Sequence, residues 1–244
     1  MYEPRFYQEW YNKKLKTFKV CFRETDLLIK AEHCDREYCY QLIKKLRLRF
    51  DEYINLNPDF LLSMTPVVIK AGDPEPVKIL KKYAEKAEIG PMAGIAGLFA
   101  EKVGKSILNK LQTDQVIVEN GGDIFLALKE ECITGIYAGE DSPFSGKIGI
   151  KIKPDSTPLG ICTSAGNVGP SLSLGKADAV VVASKSTVMA DIMATALANR
   201  IKHSRDINRV LEYGRTIEGV TGIVVIKGDK IGICGDIEIV KIDK

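Results

Sequence analysis

The residues best suited to chemistry lie on one stripe of a helical stretch late in the chain. Asp191, Thr195 and Asn199 recur at four-residue spacing, which places a carboxylate, a hydroxyl and an amide on one face of a helix. Oxygen ligands of this kind suit a hard cation such as Mg²⁺, which keeps its own waters or a phosphate. The side chains around them are small, so that a ligand could approach the backbone closely. They include the alanines Ala190, Ala194, Ala196 and Ala198. The alternative is structural: Asp191 stabilises the helix dipole, Thr195 bonds back to a carbonyl and Asn199 meets water.

A pair of glycines between two apolar stretches forms the second candidate. The residues Asn120-Gly-Gly-Asp123 separate two predicted strands. Because Asn-Gly is a strong hairpin signal, a simple turn explains this sequence. Gly121 and Gly122 would also let backbone N–H groups face a phosphate or a ring edge, with Asp123 adding charge. The chain has neither a P-loop nor a dinucleotide-binding glycine pattern.

A segment rich in hydroxyls and glycines, residues 160–169, is the third candidate. Thr163 and Ser164 follow an apolar strand and precede glycines, an arrangement that favours a turn around an anion. Lys176 and Asp178 come just before the next buried strand, and Lys176 would add positive charge at the rim of such a site. The alternative is a loop whose hydroxyls hydrogen-bond to their own backbone.

Among the thiols, Cys162 best fits a chemical role. It adjoins the Thr163–Ser164 turn, whose polar backbone groups would lower its pKa. In a chain that we expect to be cytoplasmic, the six cysteines are expected to be thiols rather than a disulfide scaffold. They form no C-x-x-C pair, and His33, Cys34 and Cys39 lack the spacing and the fourth ligand of a zinc site. Cys34 and Cys39 are five residues apart, so on a helix they would point about 140° apart and share no metal. With only two histidines, a Ser-His-Asp or Cys-His hydrolase is poorly supplied.

The elements that must position these residues are a mixture of helices and neighbouring antiparallel strands. Strands are predicted at 16–25, 26–31, 65–70, 115–119, 124–128, 133–138, 147–153, 159–163, 180–183, 220–227 and 230–240. Helices are predicted at 35–55, 77–87, 93–111 and 206–213, and in the stretch that begins near Ser184, Ser186 and Thr187. We find no linker and no internal repeat, so we expect one α+β domain over residues 1–244 that opens with a hairpin and helix over 16–55.

Composition and charge exclude several classes of protein. With 244 residues, 45% of them hydrophobic, the chain is long enough to bury a sizeable core. Its net charge of +3 argues against nucleic acid and anionic membranes as partners. No stretch approaches the ~18 apolar residues that a membrane span requires, and the N-terminus has no apolar signal segment. We therefore expect a cytoplasmic protein that binds no membrane, and the sequence leaves open whether it forms a homo-oligomer.

Several segments, taken in order, resemble the ApbE-type flavin transferases. The helix sequence Ala190-Asp-Ile-Met-Ala-Thr-Ala-Leu197 matches the family's A-D-x-x-A-T-A-L pattern, which is the most specific of the resemblances. The glycine–alanine helix start at 93–100, the Gly-Gly-Asp hairpin, the strand at 148–154 and the Thr-Ser turn at 161–166 are similar in the same order. The resemblance covers residues 91–199, and the chain looks in particular like a small cytosolic, prokaryotic branch of the ApbE-like superfamily.

This resemblance implies an α+β fold of T-fold type, with duplicated antiparallel sheets and packed helices. It also implies a flavin nucleotide, FAD or FMN, between the glycine hairpin and the Thr-Ser turn, and Mg²⁺ beside its diphosphate. The residues concerned are Gly121, Gly122, Asp123, Thr163 and Ser164 around the ligand, Lys176 at its rim, and Asp191 with Thr195 on the cation.

The chain departs from the family at positions that bear on catalysis. Gly97 stands where the family's helix has a lysine, and Asn167 replaces the acidic residue after the Thr-Ser-Gly turn. The family's His-Ile-Asp-Pro element is absent, and residues 171–178 take its place. Ligand binding can persist when catalytic groups are lost, because the pocket and the chemistry are separate. We therefore expect binding of a flavin or another small phosphorylated ligand with Mg²⁺, and covalent flavin transfer is not the expected activity.

A different hypothesis concerns sulfur. A role in sulfide assimilation has been proposed for this branch of the superfamily, and Cys162 would then receive sulfide or persulfide during cysteine or homocysteine formation. Such chemistry needs an accessible thiolate of lowered pKa. Flavin transfer to a partner's threonine or serine, and a scaffold that has lost its ligand, are the remaining alternatives.

Overall fold

The computed structural model of the chain describes residues 15–111, 113–166 and 175–242. Its strands are β1 (Lys16–Phe22), β2 (Thr25–Ala31), β3 (Val116–Asn120), β4 (Asp123–Ala127), β5 (Cys132–Gly135), β6 (Ile148–Ile152), β7 (Leu159–Ser164), β8 (Ala179–Ser184), β9 (Val220–Lys227), β10 (Lys230–Gly235) and β11 (Glu238–Lys241). Its α-helices are α1 (Arg36–Leu56), α2 (Pro58–Leu62), α3 (Glu75–Ala87), α4 (Ile95–Lys110), α5 (Thr187–Asn199) and α6 (Ile207–Arg215), and a short 3-10 helix at Pro91–Gly94 precedes α4.

The strands form two antiparallel sheets in separate layers. Eight of them follow the order β1-β2-β3-β4-β7-β8-β9-β10, and three follow the order β11-β6-β5. One face of the large sheet packs against the helices, and the other packs against the small sheet. Neighbouring residues on β7 show this division, since Ile161 faces the small sheet and Cys162 faces the helices. The α+β fold class with antiparallel sheets and packed helices, expected from the sequence, is confirmed.

The two halves of the large sheet have the same order of elements. In the first half, β1 and β2 precede the helices α1 to α4, and β3 and β4 follow them. In the second half, β7 and β8 precede α5 and α6, and β9 and β10 follow. The halves join where β4 pairs antiparallel with β7. The sequence shows no internal repeat, so the halves share an order of elements rather than a residue pattern.

The helix α5, which carries the principal candidate residues, is buried on almost all sides. It packs on β7 and β8, and α3, α4 and α6 lie beside it. Its N-cap is Ser186, whose hydroxyl accepts the N–H of Met189 at 3.4 Å, as the sequence predicts for a helix that begins there. The polar stripe expected from the four-residue spacing is not exposed, since Asp191 is buried and Thr195 is half-buried. In the part of the chain that the structure describes, neither α5 nor any other helix is both long and apolar enough to cross a membrane.

Residues 65–70 are irregular, although the sequence predicts a strand there. The Val68 carbonyl accepts a hydrogen bond from Lys81 Nζ at 3.0 Å, and the Lys70 N–H donates to Asp73 at 2.8 Å. Side chains therefore satisfy backbone groups that would otherwise pair with a neighbouring strand, and the expectation of a strand was wrong.

Two further boundaries differ from those predicted. The helix α2 begins at Pro58, because proline fits the first turn of a helix as well as it ends the previous one. Residues 230–240 form two strands rather than one: Gly235 has a positive φ of 79°, and β11 then pairs with β6 in the small sheet.

Candidate functional site

The candidate residues converge where α5 packs on the junction of β4 and β7. The pairing of these strands places Asp123 opposite Cys162. The Cys162 Sγ lies 3.4 Å from the carbonyl oxygen of Thr187, in the first turn of α5. Gly160 lies so close beneath that turn that a Cβ there would be 2.4 Å from the Thr187 Cα. This close packing brings β7 under the N-terminal half of α5, where Asp191 acts electrostatically on both Asp123 and Cys162.

The glycine turn between β3 and β4 adjoins the same region. Gly121 and Gly122 have φ angles of 67° and 103°, in the left-handed region that favours glycine. A Cβ on Gly121 would meet nothing within 4 Å, and one on Gly122 would reach only the Thr163 carbonyl oxygen, at 4.0 Å. The Asn120 side chain donates to the Ala96 carbonyl at 3.1 Å and so ties the turn to the start of α4. The turn therefore lies beside Thr163 and leaves room for a ligand to approach its backbone.

Asp191 contacts the first turn of α4 rather than its own helix end. Its Oδ2 accepts the N–H of Gly97 at 2.8 Å, and this N–H is one of those at a helix start that lack an intrahelical partner. Burial raises the pKa of Asp191 to about 7, although the Gly97 N–H acts to lower it. The helices approach closely here because position 97 is a glycine: a Cβ would lie 2.6 Å from the Thr187 carbonyl oxygen.

A second carboxylate, Glu101 on α4, accepts hydrogen bonds from the start of α5, just as Asp191 on α5 accepts one from the start of α4. Glu101 was not identified from the sequence. The Oε2 atom of Glu101 accepts the N–H of Thr187 at 2.7 Å and the N–H of Val188 at 3.3 Å. The Ser186 hydroxyl donates to the same oxygen at 3.0 Å. Each of the two helices is thus capped at its N-terminus by a carboxylate of the other. Nothing in the local sequence around Glu101 indicates partners more than eighty residues away.

Asp123 is a buried carboxyl next to Asp191. Burial raises the pKa of Asp123 well above its ordinary value, and the negative charge of Asp191 raises it further. Hydrogen bonds from the Cys162 thiol and the Thr163 N–H act in the opposite direction. Its Oδ1 has no hydrogen-bond partner in the structure. In the protein alone, the folded state therefore favours the protonated form of this group.

Cys162 is not the activated thiol that the sequence predicts. It is completely buried, and burial together with the charges of Asp123 and Asp191 raises the pKa of its thiol well above the ordinary value. The polar turn next to it in sequence does not decide its chemistry, because α5 covers it and two carboxyls lie close by. The expectation of a lowered pKa was wrong, and the thiolate that the sulfur hypothesis requires has no support from this geometry.

Two buried hydroxyls near this cluster lack hydrogen-bond partners. Ser164 at the end of β7 and Thr187 at the start of α5 each bury a side-chain oxygen without one. Thr163, between Cys162 and Ser164, is half-buried. Buried polar atoms are normally hydrogen-bonded, so these oxygens mark a place where a water, ion or ligand group would complete the structure.

Thr195 and Lys176 lie nearer the C-terminal end of α5 than Asp191 does, Thr195 on the helix itself and Lys176 beside its end. Thr195 follows Asp191 by one helical turn on the same side of the helix, and it is half-buried. Lys176 is exposed, and its backbone N–H donates to the Ile201 carbonyl at 2.7 Å, beyond the C-terminal end of α5. Asp191 is the fifth residue of α5, and the eight residues from it to the end of the helix at Asn199 span about 12 Å. Lys176 therefore lies near the C-terminal end of α5, away from Asp191.

The donor atoms fit a hard cation chemically. Two buried carboxyls with raised pKa values interact through their charges, and a divalent cation would stabilise their ionised forms. Within residues 15–111, 113–166 and 175–242, no group of three or more His, Cys, Asp and Glu is arranged to hold a metal ion. A cation here would therefore take few protein ligands and complete its shell with waters or phosphate oxygens, as Mg²⁺ commonly does.

Some of the predicted features fall outside the site or outside the described residues. Asn167 is not among the residues described. The same is true of residues 171–174, the first part of the segment that takes the place of the family's His-Ile-Asp-Pro element. Asp178 is described and has a structural role, since its carboxylate accepts hydrogen bonds from Lys227 Nζ at 2.8 Å and from the Gly228 N–H at 2.6 Å. A shallow apolar depression lies elsewhere, between α1, α3 and α4, where Phe50, Leu98 and Phe99 line it.

This arrangement of sheets and helices is that of the ApbE proteins. The flavinyl transferase ApbE of Pseudomonas stutzeri, in its apo form, superposes with a TM-score of 0.60 and 12% identity over 91% of this chain and 94% of its own. The ApbE protein of Thermotoga maritima superposes with a TM-score of 0.61 and 11% identity, over 89% of this chain and 96% of its own. At such identities the likeness shows the fold alone.

Sequence comparison identifies the family. The family model described as AbpE bacteria matches residues 8–231. The UPF0280 protein of Methanocaldococcus jannaschii is 39% identical over 96% of this chain and 95% of its own length, and that of Methanococcus maripaludis is 38% identical over 93% of each. The chain therefore belongs to the AbpE bacteria family, together with these UPF0280 relatives, which confirms the ApbE-like resemblance of its sequence.

Proposed function

We propose that the chain binds a flavin nucleotide, FAD or FMN, or another small phosphorylated ligand, together with Mg²⁺. The observation that carries this proposal is the buried pair Asp123 and Asp191 beside the open Gly121–Gly122 turn. Two buried carboxyls cost free energy when both are ionised, and a bound cation offsets that cost. The flavin is favoured over other phosphorylated ligands because one solved protein of the same fold is named a flavinyl transferase.

In this proposal Asp191 and Thr195 hold the cation. They lie one turn apart on α5, and the contact of Asp191 Oδ2 with the Gly97 N–H fixes the orientation of the carboxylate. The other carboxylate oxygen and the Thr195 hydroxyl then act as ligands, and waters or phosphate oxygens complete the shell. When bound, Mg²⁺ would neutralise charge on a diphosphate.

The phosphorylated ligand itself would lie between the glycine turn and the end of β7. Gly121 and Gly122 offer backbone N–H groups that no Cβ obstructs, and Thr163 and Ser164 offer hydroxyls. Asp123 adds a further carboxyl beside this turn. Lys176 lies toward the far end of α5, so we assign it a contact at the rim rather than with the cation.

Calorimetry with FAD and FMN, with and without MgCl₂, tests the proposal. We expect binding that requires Mg²⁺ and that weakens at least about tenfold, or about 1.4 kcal/mol, in an Asp191→Asn variant. The exposed carboxylate Asp229, in the β9–β10 turn, is the matched control, and Asp229→Asn should bind as the wild type does. Flavin binding that is equally tight without Mg²⁺ and in Asp191→Asn would contradict the assignment of the cation.

The same experiment separates a flavin from other phosphorylated ligands. Inorganic pyrophosphate with MgCl₂ contains the phosphate chemistry without the flavin ring. If pyrophosphate binds in an Asp191-dependent manner and neither flavin binds, the ligand is another phosphorylated compound. If neither pyrophosphate nor a flavin binds to the wild type, the proposal fails.

We infer that ligand binding, rather than covalent flavin transfer, is the function of this site. The support comes from the chain's own residues: Gly97 occupies the position of a family lysine, and no His-Ile-Asp-Pro element is present in the sequence. Incubation with FAD, Mg²⁺ and threonine-containing target proteins, followed by intact mass measurement, checks this inference. A target that gains the mass of a flavin phosphate would overturn it.

A further inference from the structure

Two cysteines meet at the start of α1, outside the site described above. The N-cap of this helix is Asp35, whose side chain accepts the N–H of Glu37 at 2.8 Å. Cys34 is therefore the residue before the cap, and Cys39 is the fourth residue of the helix. Side chains at these two positions commonly pack together as a hydrophobic staple. Here both are cysteines, and their Sγ atoms are 3.3 Å apart.

This contact corrects the expectation drawn from the sequence. The angle of about 140° between residues five apart applies only when both lie on the helix. Because α1 begins at Arg36, Cys34 lies on the extended segment that leads into the helix and folds back over its first turn. Both thiols are free in the structure.

The two thiols have different environments. Cys39 is completely buried in the core formed by α1, α4 and the first strands, whereas Cys34 is half-buried at the edge of that core. The contact with Cys39 lowers the pKa of the Cys34 thiol, and burial opposes this effect. The same contact, together with burial, raises the pKa of Cys39. Cys34 is thus the thiol that a small reagent in solution reaches and that ionises first.

We propose that Cys34 and Cys39 form a redox-active dithiol that a low-molecular-weight disulfide oxidises to an intramolecular disulfide. In the first step the Cys34 thiolate attacks one sulfur of the small disulfide, which forms a mixed disulfide and releases one thiolate. In the second step the Cys39 sulfur attacks the Cys34 Sγ and releases the second thiolate. The two protons pass from the cysteines to the two released thiolates, and two electrons pass from the cysteines to the small disulfide.

The fold favours the second step over a lasting mixed disulfide. The resolving sulfur already lies 3.3 Å from the Cys34 Sγ, so ring closure has to shorten this contact by only about 1.2 Å, to the ~2.05 Å of a disulfide bond. The new bond would join the segment after β2 covalently to the helix, at a point where Asp35 already caps it. Reduction by a small thiol would reverse both steps.

The test treats the native wild-type protein with oxidised glutathione, quenches it with acid, and alkylates the remaining thiols after unfolding. We expect the wild type to lose three alkylatable thiols: Cys21 should carry glutathione, whereas Cys34 and Cys39 should be linked to each other and carry none. The exposed thiol Cys21 reports in the same sample that the reagent reacts. Dithiothreitol should restore both thiols.

Variants at each position separate the two roles. A Cys39→Ser variant should keep glutathione on Cys34, and Cys39→Ala with its helix content checked by circular dichroism should do the same if the serine variant folds poorly. In Cys34→Ser, Cys39 should stay alkylatable. The control Cys132→Ser, which alters a buried thiol in β5, should behave as the wild type does. Two results for the wild type would overturn the proposal. In one, oxidised glutathione modifies Cys21 while Cys34 and Cys39 both remain thiols. In the other, glutathione remains on Cys34.

Discussion

Replacing Glu101 tests whether reciprocal capping holds α4 and α5 together. Its Oε2 accepts the N–H groups of Thr187 and Val188, which are the first two residues of α5. These N–H groups have no partner inside the helix, and both residues are buried. Glu101→Ala would therefore leave two buried donors unpaired, and Glu101→Gln would keep an acceptor oxygen in place without its charge.

The expected loss in the free energy of unfolding follows from the number of hydrogen bonds that are removed and from the charge of their acceptor. An unsatisfied buried donor costs about 1–3 kcal/mol, and a hydrogen bond to a charged group contributes about 1.5–3 kcal/mol. With two donors affected, we expect Glu101→Ala to lower the free energy of unfolding by about 3–4 kcal/mol. Hydrogen bonds to an ionised acceptor are roughly twice as strong as neutral ones, so Glu101→Gln should lose about half of that amount.

Urea unfolding monitored by circular dichroism measures both changes. Lys105→Gln is the matched control, because Lys105 pairs with the same carboxylate but is half exposed. An ion pair of this kind contributes no more than about 1 kcal/mol. The capping argument is wrong if Glu101→Ala costs no more than Lys105→Gln, or if Glu101→Gln destabilises the protein as much as Glu101→Ala.

Three further predictions concern other parts of the same framework. Burial raises the pKa of Asp191 to about 7, so the folded protein keeps a proton that the unfolded chain releases, and this contribution to stability is lost as the pH rises from about 4 to about 7. In urea unfolding at successive pH values, Asp191→Asn should remove about 1.4 kcal/mol per pH unit of that slope, and equal slopes in the two proteins would refute the argument. Gly97→Ala would place a Cβ 2.6 Å from a carbonyl oxygen of α5 and should lower the free energy of unfolding in urea by about 1–3 kcal/mol; an unchanged value would contradict the close packing. Lys81→Met leaves the buried Asp73 carboxylate without its counterion and should cost about 3–5 kcal/mol in the same assay, whereas the exposed neighbour Lys82→Met should cost far less.

The sequence predicted the elements around the site better than it predicted their environment. The strand over 180–183 and the helix after it follow from local patterns, and the structure confirms them. Of the three hydroxyl residues at which the helix was expected to begin, Ser186 is the cap. The contacts of Asp191 did not follow from the sequence, because periodicity shows which residues share a face but not what packs against it. The partner is Gly97, ninety-four residues earlier in the chain, and no local pattern connects the two.

Two predictions about the thiols were also wrong because they depended on tertiary contacts that the local sequence does not show. The turn next to Cys162 in sequence suggests a lowered pKa, but its pKa depends on α5 above it and on carboxyls from two other elements. For Cys34 and Cys39, the angle of about 140° assumed that both residues lie on the helix. Cys34 precedes both the predicted start at residue 35 and the observed start at Arg36, and its sulfur contacts that of Cys39. The contact depends on how the segment before the helix packs against its first turn, which the spacing of the two cysteines does not show.

The capping arrangement also explains how Asp191 can have both a structural role and a role in binding. The positive end of α4 and its Gly97 N–H favour an ionised carboxylate, whereas burial favours a neutral one. Burial outweighs the Gly97 N–H and raises the pKa of Asp191 to about 7. The neutral and ionised forms therefore have similar free energies near neutral pH, and a modest additional stabilisation of the charged form would ionise the group. A divalent cation beside the carboxylate supplies such a stabilisation. Glu101 already has a cationic partner, Lys105, besides its contacts at the start of α5. The two capping carboxylates therefore have the same structural role, and the proximity of Asp123 is what distinguishes Asp191 as the candidate ligand.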